Sequence, residues 1–214
     1  MSAQLKIDSS AFDKALKAYA ANSRKSGEEV LRNQARLFVQ DVVKITPPNR
    51  KFSFNRKGGE AAVRSDIRKI MRGSNARGAI NDPAGVHQSY RNRSTGRVRR
   101  ELKNKVKVRN LAAYIKSEIA KVGILASGWN AAAAKLGAKL PDWIKRHGTG
   151  AGAIQIKLGL LEMRIAITNA VKFAGNVKGL SRRVQAALNR RAGAMNRQLE
   201  DYAVRRAARR AGFR

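Results

Sequence analysis

KVGILASGWNAAAAKLGAKLPDWIKRH, residues 121–147, combines both tryptophans of the chain, Trp129 and Trp143, with its least basic long passage. Residues 126–136 are rich in strong helix formers, and Gly137 followed by Pro141 supplies a stop and an exit, so the composition predicts a helix ending at 135–137. Leu125, Trp129, Ala132, Ala133 and Leu136 recur at helical spacing and form one apolar stripe, which places Trp129 and Leu136 in the core. Ala126, Ser127, Gly128 and the alanines at 131–134 are small enough to let another backbone approach closely. This passage is the expected core helix.

N-terminal to it, residues 5–7 form a short strand candidate, and Asp8, Ser9 and Ser10 are N-cap candidates. Phe12, Leu16 and Tyr19, then Leu31, Ala35, Phe38, Val42 and Ile45, repeat at helical spacing. Phe38 joins the core list. Gly27 either breaks these two stretches or is tolerated within one long helix, and Thr46-Pro47-Pro48 ends the second. Residues 51–59 read as a basic loop, and 61–72 as a helix facing inward with Val63, Ile67, Ile70 and Met71. Residues 73–85 read as turn material, and 111–124 as a helix with Leu111, Tyr114, Ile115 and Ile119 on one side. C-terminal to the core passage, Ile154, Ile156 and Leu158, then Met163, Ile165 and Ile167, alternate with polar residues around Gly159, the pattern of an antiparallel strand pair. After a loop at 169–179, Ser181 caps a long helix with Val184, Leu188, Met195, Leu199 and Tyr202 on its stripe.

The fold class is therefore α+β. Long N-terminal and C-terminal helices and a central helix pack on a small antiparallel sheet, with a basic extended arm or insertion. Residues 1–180 form one domain with that arm or loop at about 73–110, and 181–214 form a basic C-terminal helix.

The net charge is +32, from 46 Lys and Arg against 14 Asp and Glu. Charge so far from zero opposes compaction unless a polyanion or an acidic partner lies nearby. Two segments hold half of it. Residues 91–109 carry nine cations against Glu101, and 182–214 carry ten arginines against Glu200 and Asp201, each a net +8. The run at 91–109 shows no apolar periodicity and reads as a mobile arm or an interaction surface. Contact with a polyanion or partner is assigned to Arg91, Arg93, Arg97, Arg99, Arg100, Lys103 and Lys105 in the first segment, and to Arg205, Arg206, Arg209 and Arg210 in the second. Aromatic residues are only 6% and are not interleaved with these runs, which argues against recognition by base stacking and for duplex phosphate backbone or acidic protein surfaces.

Zero cysteine excludes disulfides, thiolate metal sites and cysteine nucleophiles, and two histidines disfavour a histidine metal cage. No cofactor or metal is expected. Gly148 to Ala153 fit a relaxed dinucleotide pattern but lack the flanking strand and helix that give it meaning. Asp142 and His147 stand close in sequence without a nucleophile or metal cluster, so His147 reads as a loop-orienting residue and no enzyme activity is inferred. No apolar run reaches the roughly 20 residues needed to span a bilayer, and no membrane partner is expected.

Four stretches in order, KITPP, GGEAAVRSDIRKIM, VGILASGWNAAAAKLGAKLPDWIKRHG and AITNAVKFAGNV, resemble a family of tailed-bacteriophage minor tail proteins that join head to tail or complete the tail. The resemblance spans about residues 11–180 and rests on the order and on the GW and W-I-x-x-H-G signatures. It implies an α+β subunit of a homo-oligomeric ring in the virion neck or tail end, assembled in the host cytoplasm. Its implied neighbours are other neck, connector and tail-tube proteins and duplex DNA in the channel. It implies no catalytic residues. The other class compatible with the charge is a non-sequence-specific nucleic-acid-binding protein of nucleoid, packaging or ribosome-associated type.

Overall fold

The computed structural model describes residues 9–22, 27–92, 97–98, 100–158 and 163–210, without the side chains of residues 16, 19–22, 163, 199 and 202–210. The expected strand at 5–7, the cap candidate Asp8 and the Gly159 connection lie outside the described residues, as do the stripe side chains of Leu16, Tyr19, Met163, Leu199 and Tyr202.

Helix α1 (Ser10–Asn22) begins at Ser9, whose carbonyl accepts from the Asp13 amide at 2.8 Å and whose hydroxyl donates to the Asp13 carboxylate at 2.9 Å. Helix α2 (Gly27–Ile45) opens on Gly27 with Glu28 and Glu29 in its first turn, where carboxylates favour the helix dipole. It closes at Thr46, whose hydroxyl donates back to the Val42 carbonyl at 2.6 Å before the two prolines.

Helix α3 (Arg56–Arg68) starts five residues earlier than expected and stops before Ile70 and Met71. Gly58 and Gly59 lie inside it. Gly59 is required there, because a Cβ would come within 2.6 Å of the Pro48 ring. Met71 instead opens strand β1 (Met71–Gly73). The expected turn region at 73–85 gives way at its end to helix α4 (Pro83–Tyr90), whose N-cap Asp82 accepts from the Gly85 amide at 2.9 Å with Pro83 at the first helical position. The basic run ends in strand β2 (Val106–Val108), which pairs in parallel with β1 in the register Met71↔Val106, Arg72↔Lys107, Gly73↔Val108.

This register corrects the reading of 91–109 as a run without apolar pattern. Val98 and Val108 are buried, and Leu102 and Val106 pack beside them on Ile67, Ile70, Met71 and Ile115. The Leu102 amide donates to the Lys69 carbonyl, and Ile80 exchanges backbone bonds with Lys107 and Arg109. The described part of the run is a folded insertion with its own small core.

Helix α5 (Leu111–Ala120) is shorter than expected because Gly123, at φ +107°, turns the chain under the Trp143 ring. The core helix is divided into α6 (Ile124–Ser127) and α7 (Asn130–Leu136). The cause is Asn169. Its side-chain amide donates to the Leu125 carbonyl at 3.0 Å, the acceptor an unbroken helix would offer to the Trp129 amide, and that amide turns to Ala126 instead. Gly128 leaves room for Asn169, whose Oδ1 would stand 2.0 Å from a Cβ there. Helix α7 ends on left-handed Gly137, followed by α8 (Asp142–Lys145).

Strands β3 (Gly152–Leu158) and β4 (Met163–Asn169) pair antiparallel, as the alternation predicts, in the register Gly152↔Asn169 to Leu158↔Met163. After a 3-10 turn at Ala174–Asn176, helix α9 (Leu180–Arg210) starts one residue before Ser181, on Gly179, whose carbonyl accepts from the Arg183 amide at 3.1 Å.

Three apolar clusters hold these elements. The largest gathers Val39, Val42, Trp129, Ile144, Leu180 and Val184 with their neighbours. The second joins α1, α2 and α9 through Phe12, Leu31, Leu188 and Met195, and the third is the core of the insertion. Trp129 is buried, and Phe38 and Leu136 are partly buried against the largest cluster. The first half of α9 therefore belongs to the body of the fold. Arg191 reinforces it with a close ion pair to buried Asp41 on α2.

Candidate functional site

The charge is arranged around the insertion. Helix α3 presents Lys57, Arg64 and Arg68 at spacings of seven and four, which places them on one helical face. Val63 and Ile67 turn toward the hydrophobic side. The backbone bond from Leu102 to Lys69 brings residues 101–105 alongside the end of α3. Between them lies an open cleft of about 590 Å³ lined by Lys57, Arg64, Arg68, Lys69 and Lys105, with Glu60 and Glu101.

The two carboxylates are already engaged. Glu60 accepts from Arg56 at 2.7 Å, and Glu101 pairs with Lys105 at 2.8 Å. The hydrogen bond and charge of Lys105 hold the Glu101 carboxyl below its ordinary range. Among the described residues no carboxylate is bonded to Lys57, Arg64 or Arg68. Beyond the cleft, Arg72 and Lys107 stand directly opposite each other on β1 and β2, both exposed. On the hairpin the same holds of Lys157 and Arg164. Like charges at opposed positions are unfavourable by themselves, and a nearby polyanion relieves them.

Of the contact residues read from the sequence, Lys105 lines the cleft and Lys103 and Arg100 are exposed near it in the chain. Arg91 follows α4 and bridges to Val98, and the Arg97 carbonyl accepts from the Asn92 amide, so both have backbone roles. Arg93 and Arg99 lie outside the described residues. For Arg205, Arg206, Arg209 and Arg210 only the helical backbone of α9 is described. The sequence reading passed over Lys57, Arg64 and Arg68, whose i, i+7, i+11 spacing was the available signal.

Behind the cleft, a buried polar cluster fastens the insertion. His87 on α4 is 3% exposed and makes a 2.8 Å hydrogen bond through Nδ1 to the Tyr114 hydroxyl. Its Nε2 faces the Asp66 carboxylate at 3.9 Å, while Asp66 accepts from the Val98 amide at 3.0 Å. Burial and the Arg91 charge lower the His87 pKa, and burial raises that of Tyr114 to about 12. This arrangement ties α4 to α3 and α5.

Asp142 and His147 do not meet as a pair. Asp142 is exposed and bound to Lys145, which lowers its carboxyl pKa. The His147 ring is bonded through Nε2 to the Val122 carbonyl at 3.0 Å, a loop-orienting contact. Among the described residues no group of three or more His, Asp or Glu is placed to hold a metal, and no helix is long and apolar enough to cross a membrane.

The fold and surface thus define an α+β protein with a strongly cationic insertion. Comparison of the chain with family models, with curated proteins and with solved structures returns no match.

Proposed function

We propose that the chain is a structural subunit of a tailed-phage virion, a ring-forming neck or tail-completion protein that joins tail to head. In this reading its basic surfaces meet DNA or acidic neighbouring proteins. One observation carries the proposal: the four stretches that resemble the minor tail family touch one another. Gly59 of GGEAAV packs on Pro48 of KITPP, and Trp129 of the GW pair donates to Thr46 of the same KITPP stretch. Asn169 of AITNAV donates to the Leu125 carbonyl of VGILASGW. Residues that share a resemblance and also interlock are those on which a common core would depend.

The basic surfaces lie around this core. A closed ring would set many copies of the cationic insertion around one axis, where Lys and Arg neutralise phosphate without reading sequence. The test is quantitative mass spectrometry of purified, nuclease-treated phage particles. The expected result is this chain at a fixed, ring-sized copy number per particle. Its absence from particles overturns the proposal.

The free cations of the α3 cleft favour a second reading, a sequence-blind nucleic-acid-binding protein outside the virion. Recovery of the chain on cellular DNA or ribosomes, with none in particles, selects it.

A further inference from the structure

We infer that the cleft between α3 and residues 101–105 is a binding site for the phosphate backbone of duplex nucleic acid, with Lys57, Arg64 and Arg68 as its principal contacts. The inference deepens the reading above and rests on it in one respect, that the basic surfaces meet a polyanion.

The geometry favours a linear array of charges. At about 1.5 Å of rise per residue, Lys57 to Arg68 extend over about 16 Å of helix, and a strand offers a phosphate about every 3.4 Å of axis. Three cations on one face over that length can follow one strand without reaching base edges. The side chains are exposed, and the carboxylates of the cleft are satisfied by Arg56 and Lys105, so binding need not break an existing ion pair of these three. Arg72 and Lys107, opposed on the adjoining strands, extend the positive field past Lys69.

The lining also discriminates between partners. Protein interfaces are anchored by buried aromatic or aliphatic side chains seated in pockets, and the one nonpolar residue in this lining is the small Ala61. Single strands are held by stacking on aromatic rings, and the lining has none. Besides Glu60 and Glu101, each engaged by a neighbouring cation, the cleft offers Lys, Arg and Ser65, the groups that contact phosphate in a sequence-independent way.

The test is fluorescence anisotropy of a labelled DNA duplex of mixed sequence with the full chain, across a salt series. The wild-type protein is compared with K57A/R64A/R68A and with a control triple, K135A/K139A/K178A, that removes the same charge from exposed positions elsewhere. The expected result for the cleft variant is a loss on the order of 100-fold in affinity at 0.1 M salt, with the log–log salt slope flattened by about 2.7, or 0.9 for each lost phosphate contact. The control triple should retain most of the affinity.

An equal loss in the control triple overturns the inference, because net charge alone would then account for binding. Undiminished binding by the cleft variant also overturns it, while leaving the polyanion reading intact. A wild-type chain that binds no duplex overturns the inference and leaves the virion reading, whose basic surfaces can meet acidic neighbours, to the particle measurement. Equal competition by poly-glutamate and by unlabelled duplex, charge for charge, identifies an acidic protein as the partner instead. Should the triple variant fail to fold by circular dichroism, R64Q/R68Q, which keeps the aliphatic stem as far as Cδ, is compared with the double control K135A/K139A, and its slope is expected to flatten by about 1.8.

Discussion

Trp129 Nε1 donates a 3.0 Å hydrogen bond to Thr46 Oγ1 across 83 positions of sequence, and both residues are buried. The same hydroxyl donates to the Val42 carbonyl at 2.6 Å. One oxygen thereby closes α2 and satisfies the indole at the centre of the largest cluster. Thr46→Val keeps the shape and removes that acceptor. A buried N–H left without a partner costs about 1–3 kcal/mol, and urea unfolding should show a loss of that size. Trp129→Ala adds a cavity and should cost about 3–5 kcal/mol. A neutral Thr46→Val would mean that the indole finds another acceptor.

Asp41 and Arg191 form the ion pair that ties α2 to α9, with little of either side chain exposed. Removing one member of a buried pair leaves an uncompensated charge. Asp41→Ala and Arg191→Ala should each destabilise by about 3 kcal/mol, and the double variant by much less than their sum. A double-mutant cycle in guanidinium measures this. Additive losses would show that each side chain contributes through packing alone.

Much of the fold is legible in the sequence where burial alone sets the pattern. The period-two alternation of Ile154, Ile156 and Leu158 against Ile165 and Ile167 yields the antiparallel pair, while its register comes from the structure. The stripe on α2 likewise follows from spacing. What spacing could not convey is competition for a single acceptor. Nothing local to residues 121–147 indicates that Asn169 takes the Leu125 carbonyl and divides the helix at Gly128. The basic run misled for a related reason. Its valines are few among nine cations, and the short parallel pairing of KVKVR with β1 becomes visible only when Met71 is placed beside Val106. In the candidate site, the densest charge lies at 91–109, whereas on α3 fewer cations share one face, a pattern that density does not reveal.

Val98 tests whether the basic run is structural or surface. Its side chain is buried on Ile67 and its amide donates to Asp66, while Arg100 and Lys103 are exposed. Val98→Ala should cost about 2 kcal/mol through lost burial and a small cavity. Arg100→Ala with Lys103→Ala should change stability by about 0.5 kcal/mol or less. Thermal melts of the two variants check the contrast, and a reversed order would return the run to an unpacked arm.

His87 gives the insertion a pH dependence whose sign follows from its surroundings. Burial first, and then the Arg91 charge, lower its pKa from 6.5, while Asp66 on α3 and Glu118 on α5 pull the other way without prevailing. Tyr114, its pKa pushed up to about 12, stays protonated and can donate to Nδ1 of the neutral ring. Because the folded pKa lies below the unfolded one, the unfolded chain binds the extra proton as pH falls through 6.5. Stability from this site is therefore complete above that pH, declines as pH falls from there toward the folded pKa, and is level below it. His87→Gln removes the titration and should flatten the stability curve in this window relative to wild type, even if its stability at neutral pH is lower. Urea midpoints between pH 7.5 and pH 5 measure the difference. Parallel curves for the two proteins would show that His87 titrates alike in the folded and unfolded chain and that the neutral ring is no condition of the insertion's packing.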